Sequence, residues 1–314
     1  MELDEFDVAG HVCLGHLYNG TGRTEEAISE LELASSLDPA NDQALRGLAD
    51  AYLSDGEMEL AEETYKEAIA LRPHYWAGYN WLGIFYIRQG RYPEAIQSFE
   101  EVVRLAPDSY RGYSNLGAAF YYAERRVEAR RAFERALEIN SEDDLSAANL
   151  GTLYFFEGRF DEAAELFARA AALDEDDYFN VGNLADAYHW GGEGEEKARQ
   201  TYLRAAEMCQ DRLQVNPKEP FVLADRAYFL AMAGAAAEAE EEIEKALEVA
   251  PDDVSIQHRA AQVYHLIGQT ETALQLLESS VEEGYPRSEV AADPLFADLK
   301  GNVQFDALIG ESLP

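Results

Sequence analysis

The residue types that most often carry chemistry are sparse here: six histidines, His11, His16, His74, His189, His258 and His265, and two cysteines, Cys13 and Cys209, in 314 residues. They make no metal signature. His258 and His265 lie seven positions apart, two helical turns or about 10 Å, too far to share one ion. His11 and His16 point to different faces of a helix. Neither H-E-x-x-H nor C-x-x-C occurs. Two distant cysteines do not make a disulfide framework, so buried thiols are expected. The stretch 191–197 has glycines and a lysine but not the order or the Ser/Thr of a phosphate-binding loop, and it separates two helical patterns rather than following a strand. The acidic runs at 238–244 and 174–177 read as solvated faces and turns. Neither an enzymatic activity nor a cofactor is expected.

The charge narrows the partners. With 25 Lys plus Arg against 61 Asp plus Glu, the net charge is −36. A phosphate backbone is bound by exchanging counterions for Lys and Arg, so nucleic acid and anionic membranes are disfavoured. A hydrophobic content of 47 % still supplies a sizeable core. The start, MELDEFDVAG, has neither a basic nor an apolar leader region, and no window approaches 18 apolar residues. A cytoplasmic protein is expected. The helical pattern begins almost at Met1, as it would in a fragment of a longer protein. There are 5 lysines against 20 arginines. An acid-rich, lysine-poor surface resembles those of proteins from salt-in halophiles, which implies that part of the charge serves solubility at high salt.

The elements repeat. Leu14-Gly15, Leu48-Ala49, Leu82-Gly83, Leu116-Gly117, Leu150-Gly151 and Leu184-Ala185 recur every 34 residues. Arg226-Ala227 follows after 42 and Ala260-Ala261 after another 34. Three residues on come Tyr18, Tyr52, Tyr86, Phe120, Tyr154, Tyr188, Leu230 and Tyr264. Apolar positions at i, i+3, i+4 and i+7 mark an amphipathic helix. A break that usually contains glycine and a second stripe follow, then a stop such as Asp38-Pro39, Arg72-Pro73 or Ala106-Pro107. The small residues suit two helices that cross closely.

On these residues the chain resembles the tetratricopeptide-repeat family over roughly 8–287, best in Trp76 to Pro107. The resemblance implies an all-α, right-handed superhelical solenoid of eight helix-turn-helix repeats. The expected repeats are 8–41, 42–75, 76–109, 110–143, 144–177, 178–219, 220–253 and 254–287, within an array 1–287. The sixth is eight residues long of register. One extra residue falls in the turn 189–194 and seven extend the second helix, which should protrude by roughly 10 Å. Segment 288–314 is expected to cap the array through Leu295, Phe296, Leu299, Phe305, Leu308 and Ile309. Its stretches 283–287 and 293–299 resemble arrays that follow bacterial Ser/Thr kinase or nucleotide-cyclase modules, although no kinase or cyclase motif is present.

In this family the first helices line a concave groove. Repeat position 6 holds Trp81, Asn115, Asn149 and Asn183, with Asn80 one residue out of phase. This row resembles the asparagine ladder of O-GlcNAc transferases, which holds the backbone of an extended peptide. A side-chain amide offers both a donor and an acceptor to a peptide unit; the same amides could instead tie neighbouring helices. Tyr121, Tyr122, Phe155, Phe156 and Trp190 would supply an aromatic platform, and Arg88 and Arg111 the groove cations. The lysines of the carboxylate clamp of chaperone-binding repeats are missing. A protein or peptide partner in the groove is therefore expected. The alternatives are self-association into a homo-oligomer and a regulatory module of a larger signalling enzyme.

Overall fold

The computed structural model describes residues 7–192 and 194–310. Residues 1–6 of the expected array, Glu193 of the widened turn and residues 311–314 of the expected cap lie outside the described residues. The described residues are helices and connecting turns, with no strand among them. They fall into two compact units, Met1–Asn149 and Leu150–Pro314.

The first unit contains α1 (Val8–Gly20), α2 (Thr24–Leu37), α3 (Asp42–Asp55), α4 (Met58–Leu71), α5 (Trp76–Arg88), α6 (Tyr92–Leu105), α7 (Tyr110–Tyr122) and α8 (Arg126–Ile139); α9 (Asp144–Phe156) runs across the division. Each odd helix packs on the even helix that follows it, and α1 also meets α3 and α5 meets α7. The odd helices thus stand side by side. The starts of α3 and α7 are capped by side chains, whereas that of α5 is not: Asn41 accepts from the N–H groups of Gln43 and Ala44, and the Ser109 hydroxyl from Gly112. These bonds satisfy donors that a helix N-terminus leaves open.

The even helices begin differently. Arg23, Arg91 and Arg125 precede α2, α6 and α8 without capping through a side chain. Each pairs with a glutamate three residues on, namely Glu26, Glu94 and Glu128. Each also lies over the aromatic ring that ends the preceding helix core: Tyr18 at 4.0 Å, Tyr86 at 4.4 Å and Phe120 at 4.5 Å from the centroid. A cation over a ring contributes about 0.5–1 kcal/mol at exposed sites. The recurring aromatic therefore also holds the turn.

The helix crossings explain the small residues. A Cβ on Gly117 would stand 2.6 Å from the Phe133 ring, and one on Gly83 2.7 Å from the Phe99 ring. At the equivalent repeat positions α3 carries Ala49 and α4 carries Tyr65, both buried. Glycine lets a phenylalanine ring lie flat against the helix backbone.

The second unit continues with α10 (Phe160–Leu173), α11 (Tyr178–Gly191), α12 (Glu195–Val215), α13 (Pro220–Met232), α14 (Ala236–Val249), α15 (Val254–Leu266), α16 (Thr270–Glu282), α17 (Arg287–Ala292), a 3-10 turn (Pro294–Leu299) and α18 (Val303–Ile309). The long α12 does not stand free, as its expected protrusion implied. Ala205, Ala206, Cys209 and Leu213 are buried and pack into one core with Val222 and Leu223 of α13. The other side of α12 is exposed, as is its end, where Val215 is 89 % exposed. In the tail, Val290, Phe296, Leu299 and Phe305 enter the same core, and Leu295, Leu308 and Ile309 pack against it. Asp293 joins tail to repeat: its carboxylate accepts from the Leu295 N–H at 2.9 Å and from Gln262 Nε2 at 2.7 Å, and faces His258 Nε2 at 3.3 Å.

The expectation of two buried thiols holds for Cys209 alone; Cys13 is exposed. α1 turns Val12 towards Ala34 and Ala44, and Gly15 towards Leu31, which leaves Cys13 on the opposite side. No described helix is long and apolar enough to cross a membrane.

Candidate functional site

The face that the odd helices turn away from their even partners carries the expected residues, in two stretches. In the first unit, Asn80 on α5 and Asn115 on α7 meet: Asn115 Nδ2 donates to Asn80 Oδ1 at 2.9 Å. The two amides tie neighbouring helices and keep Asn115 Oδ1 and Asn80 Nδ2 for other partners. Trp81 is half-buried, with the Arg46 guanidinium 5.7 Å from its ring centroid. Arg88 is exposed and makes no ion pair with any described residue. Arg111 lies 5.5 Å from the Tyr110 centroid and is likewise without an ion pair among the described residues. Tyr121 and Tyr122 meet edge to face, and Tyr122, half exposed, stacks on Tyr92 at 5.7 Å. Asn149 is half-buried at the end of this unit.

Arg46 belongs with these residues although sequence reasoning passed over it. Near it, the Tyr65 hydroxyl donates to Asp50 Oδ1 at 2.9 Å. Burial, then the Asp50 charge, push the Tyr65 phenol well above its ordinary range, while Arg88 and Arg46 act in the opposite direction. Arg46 and Arg88 thus both lie near the buried Tyr65. The signal for Arg46 was present in the sequence, since it is a cation one position before the row that holds Trp81.

In the second unit, Phe155 meets Phe160 edge to face at 5.3 Å and Phe156 at 5.9 Å. Trp190 meets His189 edge to face at 5.1 Å. Phe155, Phe156 and Asn183 line one recess of about 160 Å³ together with Thr152, Phe167 and Asp186. Trp190 is not part of it. Asp186 is the residue sequence reasoning missed. Its Oδ1 accepts from the Tyr202 hydroxyl at 2.6 Å and the Tyr228 hydroxyl at 2.8 Å. Burial pushes its carboxyl above the usual carboxylate range, and the two tyrosine hydroxyls oppose that shift. The hydroxyls come from α12 and α13, 16 and 42 residues along the chain, so no local spacing announces them.

Further along, Asp225 is paired with Arg259 at 3.2 Å and accepts from the Tyr178 hydroxyl at 3.2 Å. Arg259 lies over the Tyr228 ring at 4.6 Å. Burial raises the Asp225 carboxyl too, against the pull of Arg259 and Tyr178. No three His, Cys, Asp or Glu side chains are grouped to hold a metal ion among the described residues. The side chains on this face are amides, aromatic rings and single charges.

Comparisons with known proteins agree with this architecture. Two family models, both described as tetratricopeptide repeat, match residues 77–142 and residues 14–75 and 114–178. No curated protein matches the sequence. Among solved structures, PilF of Pseudomonas aeruginosa is 24 % identical over 67 % of this chain and 92 % of its own, with a TM-score of 0.53. A tetratricopeptide repeat protein from Parabacteroides merdae is 15 % identical over 91 % and 96 %, with a TM-score of 0.55. The APC/C hetero-tetramer Cut9–Hcn1 is 14 % identical over 93 % of this chain and 53 % of that one, with a TM-score of 0.59. Identities this low show a shared fold alone. None of these matches supports the likeness of the tail to kinase- or cyclase-linked arrays.

Proposed function

The chain belongs to the tetratricopeptide-repeat family, whose members generally mediate protein–protein interactions, and on that premise we propose that it is a non-enzymatic scaffold holding an extended segment of a partner protein along its odd helices. The observation that carries the reading is the unspent hydrogen-bonding capacity of that face. Asn80 and Asn115 use one acceptor and one donor on each other, and the half-buried Asn149 and Asn183 make no side-chain hydrogen bond among the described residues. An extended peptide presents alternating N–H and C=O groups that such amides complement.

The charges fit the same role. In a chain of net charge −36, Arg46, Arg88 and Arg111 face this surface without a carboxylate, whereas the turn arginines are each paired. Asn115, Asn149 and Asn183 would bind backbone, with Tyr121, Phe155 and Trp190 receiving side chains. The acidity of the remaining surface is assigned to solubility at high salt, so a basic partner is not required. The ladder is tested by pull-down from native lysate with the triple variant Asn115→Ala, Asn149→Ala, Asn183→Ala. Loss of partners that the wild-type protein recovers is expected. Unchanged recovery of every partner would refute the role of the amides.

A further inference from the structure

Asp186 lacks the cation that three other carboxylates of its unit have. A carboxylate removed from water is costly unless a cation compensates it. Glu242 has Arg226 at 2.7 Å, Asp225 has Arg259 at 3.2 Å and Asp293 has His258 at 3.3 Å. Asp186 has no ion pair among the described residues. Arg259 acts on it through space only, because its hydrogen bonds go to Gln262 at 2.9 Å and to Asp225. His189, one turn along α11, also acts only through space.

The carboxylate is nevertheless held firmly. Both tyrosine hydroxyls go to Oδ1, which fixes the group and leaves Oδ2 without a hydrogen bond from any described residue. Around it, the recess offers Phe155, a 60 % exposed Phe156 and the Asn183 amide. A carboxylate, aromatic rings and a side-chain amide around one recess of about 160 Å³ suit a cation on a long apolar stem. The ring faces attract the cation and the stem, the carboxylate neutralises it, and the amide oxygen takes a remaining donor.

We propose that the recess formed by Phe155, Phe156, Asn183 and Asp186 is the anchor for a lysine or arginine side chain of the bound segment. The inference rests on the reading of the odd-helix face as a peptide site. It names one residue class that a ligand carries and the place where that residue sits.

The test uses the full chain and fluorescein-labelled nonapeptide pools. The central residue is Arg, Lys, norleucine or Glu, and the flanks are mixed from Ala, Ser, Thr, Gly and Tyr. Fluorescence anisotropy at 0.15 M and 0.5 M NaCl should show the Arg and Lys pools binding about tenfold tighter than norleucine, with Glu weakest. Asp186→Asn keeps an acceptor for both tyrosines. Phe156→Ala changes a side chain that is mostly in solvent, so both variants should retain the wild-type circular dichroism spectrum. Asp186→Asn should bring the Arg and norleucine pools to within about threefold of one another and leave the norleucine pool unchanged, whereas Phe156→Ala should weaken both pools, because the ring also holds the apolar stem. Glu165→Gln removes an equal charge from the exposed face of α10 and should change nothing, which separates the recess from the general field of an acidic protein. Equal binding of the Arg and norleucine pools, or a preference that survives Asp186→Asn, overturns the anchor and leaves the peptide site standing. Absence of binding by every pool overturns both.

Discussion

Glu124 is the only non-glycine residue with positive φ among the described residues, at 59°. It fills the turn position that Gly22, Gly56, Gly90, Gly158, Gly192, Gly234 and Gly268 hold elsewhere, at φ between 67° and 86°. A side chain there crowds the following carbonyl, at a cost of roughly 1–2 kcal/mol that glycine avoids, partly offset by the greater freedom of glycine in the unfolded chain. Glu124→Gly should therefore stabilise the protein by about 0.5–1 kcal/mol, read as a higher urea midpoint with an unchanged m-value. A lower midpoint would show that Glu124 makes a contact worth more than its strain. The need for glycine in these turns could be read from the sequence. That the fourth turn would keep the same left-handed geometry with a glutamate could not, because the conformation is imposed by the helices on either side.

At the scale of the element, Glu62 on α4 joins a partner on its own helix to two from the next helix pair. Its carboxylate accepts from the Tyr86 hydroxyl at 2.8 Å and pairs with Arg91 at 2.5 Å and Lys66 at 2.6 Å. Burial raises its pKa, but the bonds from Arg91, Lys66 and Tyr86 prevail and hold it at about 2, against an ordinary value of 4.5. The folded value lies below the unfolded one. The group therefore contributes stability above pH 4.5 that is lost as pH falls from 4.5 towards 2. Because Arg91 and Lys66 are partly in solvent, Glu62→Gln should cost about 1 kcal/mol at pH 7. The difference from wild type in thermal midpoint should shrink between pH 4.5 and 2.5; a constant difference would remove the ion pairs as its cause. The partner Arg91 lies in the turn of the next helix pair, between α5 and α6, 29 residues away. The repeat period predicts that these turns stack near one another, yet not which charges meet.

For the whole molecule, the net charge of −36 is the largest feature and the least specific. The salt-adaptation reading predicts that the thermal midpoint rises steadily from 0.1 to 3 M KCl, as counterions relieve repulsion among acidic faces and the salt strengthens apolar burial. A flat or falling curve would overturn it. The turn pairs Arg23–Glu26 and Arg125–Glu128 are exposed and should be screened within the same range, so a rise would come despite their weakening.

The sequence by itself determined that this is an all-helical chain of stacked helix pairs, because a 34-residue period, small residues at the crossings and proline stops act locally or between adjacent helices. It also placed the face on which Asn115, Trp81, Phe156 and Asn183 stand, since that follows from helical periodicity. Tertiary structure alone decided what the side chains there do. It joined Asn80 to Asn115, buried one side of the long α12 against α13, and brought Tyr202 and Tyr228 from two further helices onto Asp186. Hydrogen bonds depend on ångström distances between groups far apart in the chain, and a repeat period specifies which helices are neighbours without specifying those distances.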